Sequence, residues 1–215
     1  MAEKIGISAL VDALDGSDSE AQKSIVRALE SAVSPELLAV INEILATGQV
    51  DLQAAFNLAH PSDGIRPAAT EALGEHRSLK VAIPALVFIM RHDKDPFTRF
   101  LAASILARRR IKDPRVFNAF ISALQDKEGS VRSAAAEGLG NLRNPAAIRP
   151  LTNVLLHDQY PEVREAAICA LGQIGGRLVV QLLLSTLKDE WYSSVQEAIR
   201  KALENLGYPV LVPAI

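Results

Sequence analysis

The sequence predicts an all-α solenoid, antiparallel helix pairs stacked side by side with no β-sheet. Three observations carry that expectation. The 215 residues are 49% hydrophobic but only 5% aromatic, so the core is made of Ala, Leu, Val and Ile, which suit closely packed helices better than aromatic-rich strands. One pattern then returns along the chain: an apolar residue, usually Arg, small residues two and three further on, and a Leu-Gly-like ending. Its marker position holds Arg66, Arg99, Arg132, Arg164 and Gln196, at steps of 33, 33, 32 and 32 residues. A fixed period in this range marks a repeat architecture, in which each unit hides its apolar flank against the next.

Each period contains two helical stretches. Ahead of the markers lie Leu-rich segments, Ile83 to Met90, Val116 to Leu124, Ile148 to Leu156 and Val179 to Leu187. A polar turn follows each, with Asp93 and Asp95, Asp126, Asp158 and Asp189 expected to cap the next helix. The second helix, carrying the marker, spaces its small residues three and four apart, on the face that meets the first helix. Gly74, Gly140 and Gly172 stand where this helix is expected to stop, as left-handed caps.

The amino-terminal quarter is less regular. Ala21 to Leu29 reads as another second helix, but Gln22 precedes Arg66 by 44 residues. The surplus holds two helical patterns, Pro35 to Ala46 and Asp51 to Ala59, joined by Thr47-Gly48. The reading is one domain over 1–215: irregular repeats in 1–62, regular repeats in 63–207, and a short apolar tail in 208–215.

Helix, Asp-bearing turn and helix in roughly 32 residues, with D-x-x-x-x-V-R-x-x-A-A-x-x-x-L-G matched best by Asp126 to Gly140 and Asp158 to Gly172, resembles the HEAT repeat. The resemblance is to the short subtype of bacterial HEAT-like and phycobilin-lyase-like proteins and runs from about Ile65 to Gly207. Thr98 and Gln196 depart from it at the Val-Arg pair, and Ala107 and Glu204 at the terminal Gly. It implies a right-handed superhelix. For the subtype it implies a phycobilin lyase subunit, or a phycobilisome-disassembly or chaperone-like factor. The partner would be a phycobiliprotein or a second HEAT-repeat subunit.

Little in the chain points to catalysis. Cys169 is the only cysteine, so neither an intrachain disulfide nor a paired-thiolate zinc site can form; in its Ala-rich helix it reads as a small packing residue, with a groove-facing thiol for bilin or redox chemistry as the alternative. Deoxyhypusine hydroxylases, which share this kind of repeat, hold iron with repeated His-Glu dyads. Here His60, His76, His92 and His157 include no His-Glu pair, and Glu75-His76 is the reverse order. No catalytic residue, metal or cofactor is expected, and the lyase subunit is the enzymatic alternative. The amino terminus has no signal pattern, and the longest apolar runs, such as Val81 to Met90, fall far below the roughly 20 residues that span a bilayer. No membrane insertion is expected, and a reducing cytoplasm is the default compartment.

Binding is the better expectation. The second helices of stacked pairs line the inner, concave wall. Their residues not required for packing are Phe100, Ser104, Arg108, Ser133, Glu137, Asn141, Glu165, Gln173, Glu197 and Lys201, a mixture suited to a protein surface. Tyr160 and Tyr192 each precede a marker by four residues and Trp191 adjoins the second. They form either an edge of aromatic anchors or, for Trp191, a cover over the last full repeat. The Arg markers are expected to pair with turn Asp residues of the same or adjacent repeat. A basic run through Arg91, Lys94, Arg99, Arg108-Arg109-Arg110, Lys112 and Arg115 follows an acidic stretch carrying Asp12, Asp15, Asp18, Glu20, Glu30, Glu36, Glu43 and Asp51. It reads as a solvated corner, as steering toward an acidic protein, or as a nucleic-acid face; the net charge of −2 makes nucleic acid the less favoured partner. The function expected is a non-enzymatic protein–protein scaffold or adaptor.

Overall fold

The structure, a computed structural model, describes residue 9 and residues 19–46, 55–62, 64–76 and 78–208. Asp12, Asp15, Asp18, Thr47-Gly48, Asp51 and the tail after Tyr208 lie outside the described residues. Among the described residues eleven α-helices have both ends defined, in order α1 (Ser19–Ala32), α2 (Pro35–Leu45), α3 (Ile65–Glu75), α4 (Leu79–His92), α5 (Pro96–Arg109), α6 (Pro114–Ala123), α7 (Gly129–Leu142), α8 (Ile148–His157), α9 (Pro161–Ile174), α10 (Arg177–Asp189) and α11 (Ser193–Asn205). Short 3-10 turns at Asn57–Ala59 and Pro145–Ala147 precede α3 and α8. Among the described residues there is no strand, and no helix is long and apolar enough to cross a membrane. The chain forms two compact units, 1–105 and 106–215.

In the first unit α2 packs on α4, and α3 on α4 and on the first 3-10 turn. Ser34 starts α2 by accepting the Leu37 N–H at 3.3 Å, with Pro35 in the first turn where its missing N–H costs nothing. Leu29, Ile41, Ala55 and Phe56 form a core cluster, with Ile25, Val26, Val33 and Leu37 packed against it. The irregular amino-terminal helices therefore have a core of their own.

The second unit is three helix pairs, α6/α7, α8/α9 and α10/α11. Each first helix packs on its own second helix, and α9 packs between α7 and α11. The burial pattern follows from that position. α6 buries one stripe, Val116, Ala119, Phe120 and Ala123, at three- and four-residue spacing. α7 buries Ala134, Ala135, Ala136, Gly138, Leu139 and Gly140, because neighbours meet it on several sides and only small residues let the axes approach.

The glycines expected to end the second helices do not end them. Gly74, Gly140 and Gly172 lie inside α3, α7 and α9, one or two residues before the last. Each stands at a close approach instead: a Cβ on Gly140 would lie 2.7 Å from Ala170 Cα, and one on Gly172 would lie 3.2 Å from Ala202 Cβ. The left-handed conformation falls just beyond the helices, at Arg110 (φ 50) and Arg143 (φ 51), while Gly175 after α9 pairs a positive φ of 72 with a ψ of −167.

Candidate protein-binding surfaces

The marker arginines build the edge at the turns. In the second unit Arg132 donates from Nη1 to the carbonyls of Asp126 (2.7 Å) and Lys127 (3.1 Å), which belong to its own turn. Its other face forks onto the next repeat's turn, Nε to Asp158 Oδ2 at 2.6 Å and Nη2 to Oδ1 at 2.9 Å. Arg164 does the same one repeat on, to the Asp158 carbonyl at 3.0 Å and to Glu190 Oε1 at 3.3 Å. In the first unit Arg66 joins the carbonyls of His60 and Pro61 to the carboxylate of Asp93, at 2.9 Å from Nε. Arg99 takes the carbonyls of Asp93 (2.9 Å) and Lys94 (3.3 Å). Gln196 keeps the carbonyl bond, to Glu190 at 2.6 Å, but its neutral amide cannot form the ionic fork.

The turn carboxylates differ from the caps expected of them. Only Asp95 caps, accepting the Thr98 N–H at 2.9 Å. Asp93, Asp126 and Asp158 accept the N–H two residues on, from Asp95, Glu128 and Tyr160, at 2.9–3.0 Å, which closes the turn. In the last turn the residue is Glu190, not Asp189: its Oε1 takes the N–H groups of Trp191 (3.0 Å) and Tyr192 (2.9 Å), while Asp189 is exposed. Arg66–Asp93, Arg132–Asp158 and Arg164–Glu190 are each buried, with side chains no more than 10% exposed.

For Asp158, burial pushes the carboxyl upward, but the Arg132 guanidinium and the Tyr160 N–H outweigh it and hold the group below its ordinary 3.8. A carboxylate depressed in the folded state adds stability that is fully present above the unfolded value and is lost as pH falls through the folded one. Urea unfolding midpoints are therefore expected to fall below pH 3.8, and the acid loss to be smaller in Asp158→Asn. Equal losses in the two proteins would remove Asp158 as a source.

Tyr160 and Tyr192 lie over these joints, their rings 5.6 and 4.9 Å from the guanidinium carbons of Arg132 and Arg164. Each tyrosine thus seals the ion pair of the preceding repeat while about half of it stays exposed. Trp191 is 94% exposed and covers no core. With Tyr192 and the exposed Leu156 it rims a groove of about 510 Å³, floored by Leu155, Leu182 and Glu190. A second groove of about 470 Å³, around Arg132, Asn153 and Gln159, shares His157 and Asp158 with the first. In the first unit a groove of about 570 Å³ runs from Val33 and Leu37 to Arg66 and His92.

The residues expected on the second-helix wall recur one, five and nine positions after the marker, one stripe per helix. On α5, Phe100 and Ser104 are half-buried and Arg108 is exposed. On α7, α9 and α11, Glu137, Gln173, Glu197 and Lys201 are exposed, and Ser133, Asn141 and Glu165 are half-buried. Two are occupied by packing: Asn141 Nδ2 donates to the Ala107 carbonyl at 3.2 Å, and Gln173 Oε1 lies against Gly140. Cys169, read as a packing residue, belongs to the same stripe and is exposed, since its neighbours across α9 are the wall positions of α7 and α11. Partial burial pushes its thiol upward, Lys201 pulls it down and Glu165 pushes it up, and the net is a raised value that keeps it a thiol at neutral pH. Among the described residues no three His, Cys, Asp or Glu side chains gather as metal ligands.

Fold and joint together define a helical-repeat protein of the α-solenoid class. The HEAT repeats family matches residues 83–171 and, overlapping these, 117–204, more than half of the sequence; the chain belongs to the HEAT-repeat family. Among solved structures it is similar to a designed armadillo repeat protein in complex with the peptide (KR)4, at 20% identity, 93% of this chain, 99% of that chain and a TM-score of 0.55. It is also similar to an engineered protein, at 25% identity, 93% and 98% coverage and a TM-score of 0.53. Human deoxyhypusine hydroxylase in complex with glycerol follows the same fold at 17% identity, 94% and 84% coverage and a TM-score of 0.50. No curated protein matches.

Proposed function

We propose that this chain is a non-enzymatic protein-interaction scaffold, anchored to its partner by the aromatic edge of the second unit. One observation carries the reading: Trp191 stands 94% exposed beside Tyr192 and Leu156 at the rim of a groove. An indole left in water is a large unspent burial, and Trp and Tyr dominate the energy of protein interfaces. The second-helix wall, used as the concave face of stacked repeats, adds the polar contacts of Ser133, Glu137, Glu165, Glu197 and Lys201. Supporting the reading, one solved structure of this fold holds a peptide.

Trp191 is the only tryptophan, so partner binding reports directly on its emission. Trp191→Ala is expected to weaken capture of a stoichiometric partner by about tenfold or more, with an unchanged melting temperature because the side chain covers nothing. Undiminished capture by the variant, or no stoichiometric partner for the wild type at any salt concentration, would overturn the reading.

A second, narrower reading rests on resemblance alone, that of the repeats Asp126 to Gly140 and Asp158 to Gly172 to the phycobilin-lyase-like subtype. In it the partner is a phycobiliprotein or another HEAT-repeat subunit, and the chain is a lyase subunit or a phycobilisome-disassembly factor. Adding phycocyanobilin and recording the absorption spectrum separates the two, since only a bilin-handling protein shifts the band. Retention on DNA that weakens with salt would instead favour nucleic acid.

A further inference from the structure

The second unit has another edge, at the opposite ends of its second helices. Asn141 near the end of α7 reaches the Ala107 carbonyl near the end of α5, and Gly140 meets Ala170 and Gln173 near the end of α9. The linkers that follow these helices, 110–113, 143–147 and 175–176, therefore lie in a row. Arg108, Arg110, Lys112, Arg143, Arg149 and Arg177 stand along them, all exposed. None of the six forms an ion pair with another described residue, and the one carboxylate in the row, Asp113, is held by Arg115 at 3.0 Å.

Folding alone does not explain this row. Cations at the carboxyl ends of α5 and α7 complement the helix dipoles, which accounts for Arg108, Arg110 and Arg143. Arg149 and Arg177 sit in the first turns of α8 and α10, where the same dipole disfavours a cation and no acidic residue offsets it. Arg110 and Arg143 hold left-handed backbone, at φ 50 and 51. Glycine or asparagine would sit there with less strain. Charge stands at this edge against the preferences of the backbone.

We infer that the linker edge of the second unit is a docking surface for an acidic polypeptide segment, distinct from the edge that carries Trp191. The spacing suits one: packed helices are about 8–10 Å apart, which about three residues of extended chain span. A segment with a carboxylate at every third residue sets one against each linker. Leu178, 71% exposed beside Arg177, adds an apolar contact that a side chain can use and a phosphate backbone cannot. Single-stranded nucleic acid lacks its stacking platform, because residues 108–115, 143–149 and 175–178 contain no aromatic. A duplex, a long polyanion, also meets Glu137, Glu165 and Glu197 on the wall of the same unit, whereas a short segment senses only charges within a Debye length of about 8 Å.

The test uses the full chain at low ionic strength, with fluorescence anisotropy of two labelled probes: a peptide of Glu-Glu-Leu repeats and a short DNA duplex. The peptide is expected to bind, and the triple variant R110N/R143N/R177Q to weaken it roughly tenfold. Asparagine keeps the left-handed backbone accessible, and a thermal melt checks that the variant folds. The charge-preserving R110K/R143K/R177K variant is expected to bind within a factor of about two of wild type. Trp191→Ala should bind this probe as wild type does. The inference is overturned by absent peptide binding, by equal binding to the triple variant, or by tighter binding of the duplex than of the peptide. Loss of the peptide in Trp191→Ala instead would move the acidic segment to the aromatic edge, overturning the linker assignment while leaving the scaffold reading intact.

Discussion

Arg132→Ala is expected to lower the unfolding free energy by about 3–5 kcal/mol, the range for removing one partner of a buried ion pair. The cost comes from what stays behind. Asp158 is 7% exposed and would keep its charge without its ion-pair partner, with only the longer-range pull of Arg164 left. The carbonyls of Asp126 and Lys127 would lose their shared donor, and Tyr160 the cation beneath its ring. Arg132→Lys rescues little, because one ammonium cannot reach two carbonyls on one side and fork onto a carboxylate on the other. Replacing Arg132 and Asp158 together by apolar residues should cost far less than either alone, since no charge is then stranded. Urea unfolding of the four proteins reads these differences directly. A loss below about 1 kcal/mol in Arg132→Ala would put the pair among surface salt bridges and end the joint as a source of stability.

Gly140→Ala should also destabilise, by about 1–3 kcal/mol of overpacking, even though alanine favours a helix over glycine by about 1 kcal/mol. The obstacle is backbone: the new methyl would meet Ala170 Cα at 2.7 Å, and α9 cannot turn away as a side chain can. Gly172 is the internal control. Its added methyl would meet the Ala202 Cβ at 3.2 Å, a contact that a shift of a few tenths of an ångström relieves. Gly172→Ala is expected within about 0.5 kcal/mol of the wild type, since the propensity gain offsets the squeeze. Thermal melts that order the two variants the other way would refute the close-approach account of Gly140.

The period and the pairing of markers with turn carboxylates were legible because repetition exposes them: the same two charges return at the same distance. What the sequence hides is which neighbour a residue meets. A glycine near a helix end reads as a cap whether it caps or admits another helix, and Gly140 differs from a cap only through Ala170, thirty residues away. Asp93 and Asp158 carry a capping signature, yet their main partners lie 27 and 26 residues back along the chain. Glu190 was missed in favour of Asp189 because the shorter acid is the commoner turn residue; the longer side chain reaches the same N–H groups from the position the register assigns. The basic run looked continuous in sequence, but α5, 14 residues and about 21 Å long, sets Lys94 and Arg110 at opposite ends. The charges that join Arg110 in space, Arg143, Arg149 and Arg177, are scattered singly through the chain. Asn141 and Gln173 were read as wall residues with nothing else to do, and only the helix ends show that they also pack.

The guanidinium joints of Arg66, Arg132 and Arg164 have a direction: each reaches backward to its own turn and forward to the following one. Duplicating one period therefore inserts a cation and the anion that receives it in a single event, with every latch still matched. Copying half a period strands one of the two in a dry place. A chain built this way can lengthen by whole steps without passing through an unstable intermediate, and Gln196, which grips only backward, is a tooth the next step could not engage by charge.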